Sequence, residues 1–353
     1  MKSIASAPGK IILFGEHFVV HGTKAILAAI DKRVTVTTTF TENKTIKVNS
    51  ELGTIEVPMT IKDGEPKMNE DKDENGNVIF KGSSHEEVKS EFRPFVFLAN
   101  RLMTNSDNVW HPGNFHFFNH CLGLEITIDS DIPIGVGLGS SSACCVAATA
   151  SIFGLFKELS SEEILKISIE AEKTIFPDTS GADCTVCIYG GMIEYPNVEK
   201  IDNTFDLNLL IANSMIPHNT KNSVEKVNKF KENDEERFSQ LCDLEIKLID
   251  EVITAMKNND ATTFGLKMSE NQKYLEEIQI SNDTLRDMIS SLKEISLGTK
   301  ITGAGDGGCV IALVKDENVS KVPALLPKDK ECFSAKIDTK GMARELVEWK
   351  REK

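Results

Sequence analysis

No block of Lys and Arg stands out in these 353 residues, and the formal net charge is −14. That shortage of clustered positive charge argues against nucleic acid or an anionic membrane as the main partner. An anionic ligand must therefore be held by local donors working against the overall field. Met1–His17 lacks the apolar core and small-residue cleavage site of a signal peptide. The longest apolar run, Ala143–Phe156, is interrupted by Thr149, Ser151 and Gly154 and is too short to span a bilayer. The eight cysteines follow no disulfide spacing, and a chain of this length needs no covalent staples. A reducing cytoplasm is the expected location. Internal repeats are absent too.

What is present is a hydrophobic content of 40%, enough for a sizeable core and for two domains of about 100–200 residues each. Lys2–Ile12 reads as a strand broken by its Ala-Pro-Gly turn, and Val34–Phe40, Lys44–Asn49 and Leu124–Ile128 as further strands. Lys62–Lys89, rich in Asp, Glu, Lys, Asn and Gly, reads as a solvated excursion ahead of an apolar helix that includes Phe95–Met103. Helices are expected over Ser140–Phe156 and Glu162–Phe176, and a strand over Cys184–Tyr189. Composition shifts at Asn197–Asp206, which divides the chain into 1–200 and 201–353. A strand at Leu207–Ala212 and long amphipathic helices follow, through Lys293. Strands and helices alternate without a βαβ rhythm, so the fold class is α+β.

The chemistry centres on Pro133-Ile134-Gly135-Val136-Gly137-Leu138-Gly139-Ser140-Ser141-Ser142. Glycines at alternate positions let backbone approach a ligand and take positive φ. The helix that follows offers unpaired N–H groups, which favour an anion. The three serine hydroxyls can cap that helix, bind phosphate or ligate a hard cation such as Mg²⁺. The loop has no Gly-Lys-Ser/Thr ending and no Gly-x-Gly-x-x-Gly, because Ser140 stands where the last glycine would be. The bland alternative is a glycine-rich turn capped by serine.

Two segments are candidate partners. In Ala7–Gly22, Lys10 is the only cation of an apolar run, and is either an exposed edge charge or one aimed at an acid or phosphate. His17 and His21, four apart, lack the interposed glutamate of a zinc hydrolase and any evident third ligand. Further on, Glu172 lies near a helix end and Asp183 just beyond a Ser-Gly turn, a pair able to divide metal binding from proton acceptance. Cys184 and Cys187 read as buried thiols. Lys300–Gly308 forms a second glycine-rich turn, with four glycines in six residues, either a plain hairpin or a close backbone approach.

Together, Pro8–Gly22, Pro133–Ala143 and Lys300–Cys309 resemble the three motifs of the GHMP kinase superfamily, in order and across essentially the whole chain. The resemblance implies an N-terminal domain like ribosomal protein S5 domain 2 and a ferredoxin-like C-terminal domain, with the site in the cleft between them. It implies ATP and Mg²⁺, and the stretch Gly15–Gly22 points to mevalonate as the alcohol, with phosphomevalonate, homoserine or a sugar as alternatives. By the same resemblance Asp183 is the catalytic aspartate and Lys10 its partner, near the phosphates and the hydroxyl. Ser130, Gly135, Val136, Gly137, Leu138, Gly139, Ser140 and Ser141 hold ATP, and Ser141 and Glu172 ligate the metal. Glu16, His17, Asp183 and Thr220 face the alcohol. Ser142 departs from the pattern, standing where relatives often have alanine. A homodimer is left open by the resemblance.

Overall fold

Two strands carry the first sheet: β1 (Lys2–Phe14) and the 17-residue β2 (Ala25–Thr41), antiparallel along nearly their whole length. The computed structural model describes residues 2–62, 65–68, 70–72, 78–82, 87–103, 123–202, 209–217 and 220–347. β1 is not broken at Ala-Pro-Gly. The pairing shifts register between Pro8 and Gly9, and Asp31 and Lys32 on β2 take up the difference. A bulge thus absorbs the proline, which has no N–H to give the ladder.

Beyond β2 the sheet runs through β3 (Thr45–Ser50), β4 (Gly53–Lys62) and β5 (Glu65–Met68), while β6 (Glu70–Lys72) and β7 (Val78–Phe80) pair separately. The expected excursion Lys62–Lys89 therefore contains strands, although residues 63–64, 69, 73–77 and 83–86 lie outside the described residues. Helix α1 (Arg93–Met103) follows as expected. Strand β8 (Gly123–Ser130) pairs antiparallel with β2 and parallel with β3, and aims the chain at the glycine loop.

Helix α2 (Ser140–Gly154) is buried from Ser142 to Phe153 except at Cys144. A helix apolar all round belongs inside, and its many small residues let it lie close on β1 and β2. Its buried hydroxyls are satisfied: Thr149 donates to the Cys145 carbonyl at 2.7 Å and Ser151 to the Ser3 carbonyl at 2.9 Å. Helix α3 (Ser161–Glu172) starts at a capping box between Ser160 and Glu163. It stops at Glu172, short of the expected Phe176.

Cys184–Tyr189 is helical, not a strand: α4 spans Ala182–Tyr189. Every residue from Cys184 to Ile188 is buried, and an apolar run buried all round has no period to separate strand from helix. β9 (Met192–Tyr195) and β10 (Glu199–Ile201) close this edge.

The second sheet is antiparallel, built from β11 (Leu209–Asn213), β12 (Ser296–Thr302), β13 (Cys309–Val314) and β14 (Glu331–Ala335) in the order β12-β13-β11-β14. Between β11 and β12 run α5 (Thr220–Asn233), α6 (Glu235–Lys257), α7 (Ala261–Glu277) and α8 (Asp283–Leu292), and two short helices follow β13, α9 (Asp316–Val319) and α10 (Val322–Leu325). On α6 a helical stripe of Phe238, Leu241, Leu248, Ile249 and Val252 is buried, each such side chain contributing roughly 1.5–3 kcal/mol. The last strand, β15 (Ala343–Val347), returns to pair with β1. Arg33 fastens the returning chain through Asp338 and the Gly341 carbonyl.

The backbones of α7 and β12 nearly touch. A Cβ on Gly298 would stand 1.8 Å from the Gly265 carbonyl oxygen. Gly298→Ala is therefore expected to lower stability by about 2–3 kcal/mol, read as a lower urea midpoint at unchanged slope.

Candidate active site

The glycine loop leaves β8 at Ser130, whose hydroxyl is tied into its own turn by the Ile132 N–H at 3.2 Å. Gly135, Gly137 and Gly139 all take positive φ. Val136 and Leu138 bury their side chains, so they offer a ligand only backbone. Gly139 occupies the N-cap position of α2, and Ser140 and Ser141 stand half-buried in the first turn. That turn supplies the unpaired N–H groups and partial positive charge that suit phosphate.

Lys10 comes from β1 beneath this loop. Its N–H donates to the Leu138 carbonyl at 2.8 Å, and its side chain passes Gly139 so closely that a Cβ there would lie 2.6 Å from Lys10 Cγ. Nζ then reaches Asp183 Oδ2 at 2.9 Å, with the lysine side chain 6% exposed and the aspartate 34%. Asp183 sits in the first turn of α4, behind the left-handed Gly181.

Glu172, 2% exposed, ends α3 beside them. Its Oε1 accepts from Ser142 and its Oε2 from Thr179, the latter at 2.6 Å. Burial pushes its carboxyl up, the two hydroxyls oppose that, and the nearby Asp183 charge adds to it. Thus Ser142, the residue that departs from the family pattern, is the serine that touches Glu172, and Ser141 is left nearer the loop. This set of carboxylate and hydroxyl oxygens has the hardness Mg²⁺ requires, so the residues fit that ion. Among the described residues no group of three or more His, Cys, Asp and Glu forms a metal cage. His21 instead meets the Phe238 ring edge-on at 4.8 Å.

The Lys300–Cys309 turn closes on the same place. A Cβ on Gly303 would lie 3.6 Å from the Gly137 carbonyl oxygen. Thr302 Oγ1 bridges to β1, donating to the Ile12 carbonyl at 2.9 Å and accepting from the Ile12 N–H at 3.0 Å. His17 Nε2 lies 2.8 Å from the Ala304 carbonyl, so Nε2 carries the proton. Burial pushes this imidazole down, which leaves Nδ1 as an acceptor near neutral pH. Thr220 is exposed at the start of α5, next to His218 and Asn219, which lie outside the described residues. That helix meets the turn through Lys226, 2.5 Å from Asp306.

Glu16 lies deeper than the resemblance suggests. It is 1% exposed and its Oε1 accepts from Lys300 Nζ, itself fully buried, which also donates to the Ile301 carbonyl at 2.7 Å. Burial pushes Glu16 up and Lys300 down, each opposed by the other's charge. Sequence reasoning took Lys300 only as the start of a motif and missed its partnership, along with those of Ser142 and Thr179. The signal for Lys300 was available: a lone cation in a strand that runs into a glycine turn.

A lysine-paired aspartate, a hydroxyl-held glutamate and two abutting glycine turns define a phosphotransfer cleft. Comparison with known proteins agrees. Residues 110–191 match the GHMP kinases N terminal domain and residues 252–324 the GHMP kinases C terminal model. Mevalonate kinases of Thermococcus sibiricus and Pyrococcus furiosus are each 32% identical, over 98% of this chain and 99% of theirs. The crystal structure of the Methanococcus jannaschii mevalonate kinase superposes with a TM-score of 0.70 at 27% identity, over 95% of this chain and 98% of that one. The chain belongs to the GHMP kinase family.

Removing one partner of the buried pair strands the other charge. Lys300→Met is expected to cost about 3–5 kcal/mol of stability, measured by chemical denaturation.

Proposed function

We infer that the chain catalyses the ATP-dependent phosphorylation of the C5 hydroxyl of (R)-mevalonate to 5-phosphomevalonate, a step of isoprenoid biosynthesis. The observation that carries the chemistry is the Lys10–Asp183 contact beside the glycine loop. The choice of alcohol rests on full-length similarity to mevalonate kinases.

In this reading the loop from Gly135 to Ser141, with Ser130 ahead of it, holds the phosphates of ATP by backbone N–H groups and the α2 terminus. The C5 oxygen attacks the γ-phosphorus, the bond to the bridging oxygen breaks, and ADP leaves. Phosphoryl transfer is mainly positioning and charge stabilisation. An aspartate beside a lysine is a weak base toward an unactivated alcohol. Lys10 therefore stabilises the developing alkoxide, and Asp183 takes the hydroxyl proton late, as the oxygen turns acidic. In this reading Ser141 and Glu172 would hold Mg²⁺, which would neutralise charge on the transferring group. His17, Asp183 and Thr220 are assigned to the alcohol, with Glu16 supporting them from beneath.

The same reading divides the chain at about residue 200 into the lobe of the glycine loop and the lobe of the second sheet, with β15 crossing back. Among the described residues no helix is long and apolar enough to cross a membrane. A cytoplasmic location and a homodimer complete the proposal, the latter open to sedimentation analysis.

Asp183→Ala is expected to cut kcat by about 10²–10⁴ while ATP binding stays intact. A coupled ADP-release assay over mevalonate, phosphomevalonate, homoserine and galactose tests the substrate. Near-wild-type turnover in the variant removes Asp183 from the chemistry, and silence with mevalonate removes the substrate assignment.

A further inference from the structure

Beneath the Gly15–His17 turn, five polar side chains meet in the core. Glu16, Glu245, Asn271, Gln272 and Lys300 are each no more than 3% exposed. They come from the turn after β1 and from α6, α7 and β12, so the cluster joins both lobes. Gln272 is spent on the Ile301 N–H at 2.9 Å, and Asn271 Nδ2 donates to Glu245 Oε2 at 2.7 Å. Lys300 serves Glu16 Oε1.

The cluster does not balance. Two carboxylates against one ammonium leave a net negative charge away from water, which proteins avoid by neutralising one group. Hydrogen bonding does not balance either. Glu16 Oε2, Glu245 Oε1 and Asn271 Oδ1 have no donor. A hydrogen on one of the two glutamates would remove a charge and supply a donor that these oxygens lack.

We propose that Glu245 is a positioning residue that carries a proton and donates it to Glu16 Oε2, holding the Gly15–His17 turn in its working shape. Glu16 is the natural acceptor because Lys300 stabilises its ionised form. Asn271 Oδ1 keeps no donor in this arrangement. Burial, then the Glu16 charge, pushes Glu245 up to about 7, against the Asn271 amide, Lys300 and the Gly15 N–H. The other titratable groups facing Glu245 are Tyr274 of α7 and Cys242 of its own helix. Lys10 acts on Glu16 from β1. On the α5 and His21 side, Lys231 and His21 sit at Phe238, two helical turns away.

The sign follows from the raised value. Below pH 4.5, the ordinary value, Glu245 is protonated folded or unfolded, and its favourable share in stability is complete. Between 4.5 and about 7 only the unfolded chain gives up the proton, so that share declines, and above about 7 the decline ends.

The experiment compares wild type with Glu245→Gln and Glu245→Ala, all as full chains. Glutamine keeps an N–H donor for Glu16 and cannot ionise; alanine removes the donor. Wild-type Tm minus Glu245→Gln Tm should fall from pH 4.5 to about 7 and then flatten. Infrared spectra at pH 6 should show a protonated-carboxyl band that Glu245→Gln lacks. Both readouts stand without any substrate assignment. The kinetic arm rests on the mevalonate reading: wild-type KM for mevalonate should rise about tenfold from pH 6 to pH 8, with kcat moving less. Relative to that, KM in Glu245→Gln should stay level, while in Glu245→Ala it should be high throughout. A flat Tm difference with no carboxyl band overturns the buried proton. A Glu245→Gln variant that loses mevalonate affinity as Glu245→Ala does overturns the positioning role. If the Tm and infrared results hold but mevalonate is not a substrate, the substrate reading fails and the buried proton stands.

Discussion

Lys10 crosses the phosphate loop at Gly139, where there is no side chain in its way, and the rest of the site depends on that crossing. A Cβ on Gly139 would occupy the path of Lys10. The same backbone step starts α2, so one residue sets both the helix terminus and the lysine's route. The lysine in turn fixes where α4 begins, because Asp183 in its first turn is the ion's partner. β1, the loop and α4 are far apart in sequence, and a single buried ammonium makes them one unit.

The lobes are joined behind the cleft by polar contacts as well as by a continuous apolar core. Thr302 bonds both backbone groups of Ile12, Lys300 meets Glu16, and the returning chain places Asp338 on Arg33. Buried polar contacts of this kind are directional and tolerate little slippage. They suit a boundary at which two glycine turns face each other closely, as Gly303 and Gly137 do. Apolar packing crosses the same boundary, with Phe14 edge-on to Phe264 at 5.4 Å and Phe18 stacked on Phe238 at 6.0 Å.

Much of the fold was legible because periodicity and punctuation agree there. The alternating Val34–Phe40, the small-residue helix after Gly139 and the start of α3 at Ser161 all stand close to where the sequence puts them. Reading failed where the pattern carries two meanings. Cys184–Ile188 is buried all round, so strand and helix templates fit it equally. Ala-Pro-Gly looked like a break, but a bulge carried by the partner strand was invisible from β1 alone. In the site, the glycine loop, Lys10, Glu172 and Asp183 could be named because they are local motifs. Lys300, Ser142, Thr179 and Glu245 matter through partners distant in sequence. Glu245 did leave a trace: an acid on the buried stripe of α6, between Leu241 and Leu248.

The division of labour proposed for Glu172 and Asp183 is consistent with their surroundings. Glu172 is buried, with an oxygen bonded to each of two hydroxyls. It has lone pairs left for a hard cation but no open approach for an alcohol. Asp183 is a third exposed and is bound at one oxygen by Lys10. Environments that separate two neighbouring carboxyls in this way assign them different tasks. A proton acceptor must be reachable by the substrate, and a metal ligand must stay still. Of the two, the more exposed Asp183 suits the first condition, and Glu172, held from both sides, suits the second.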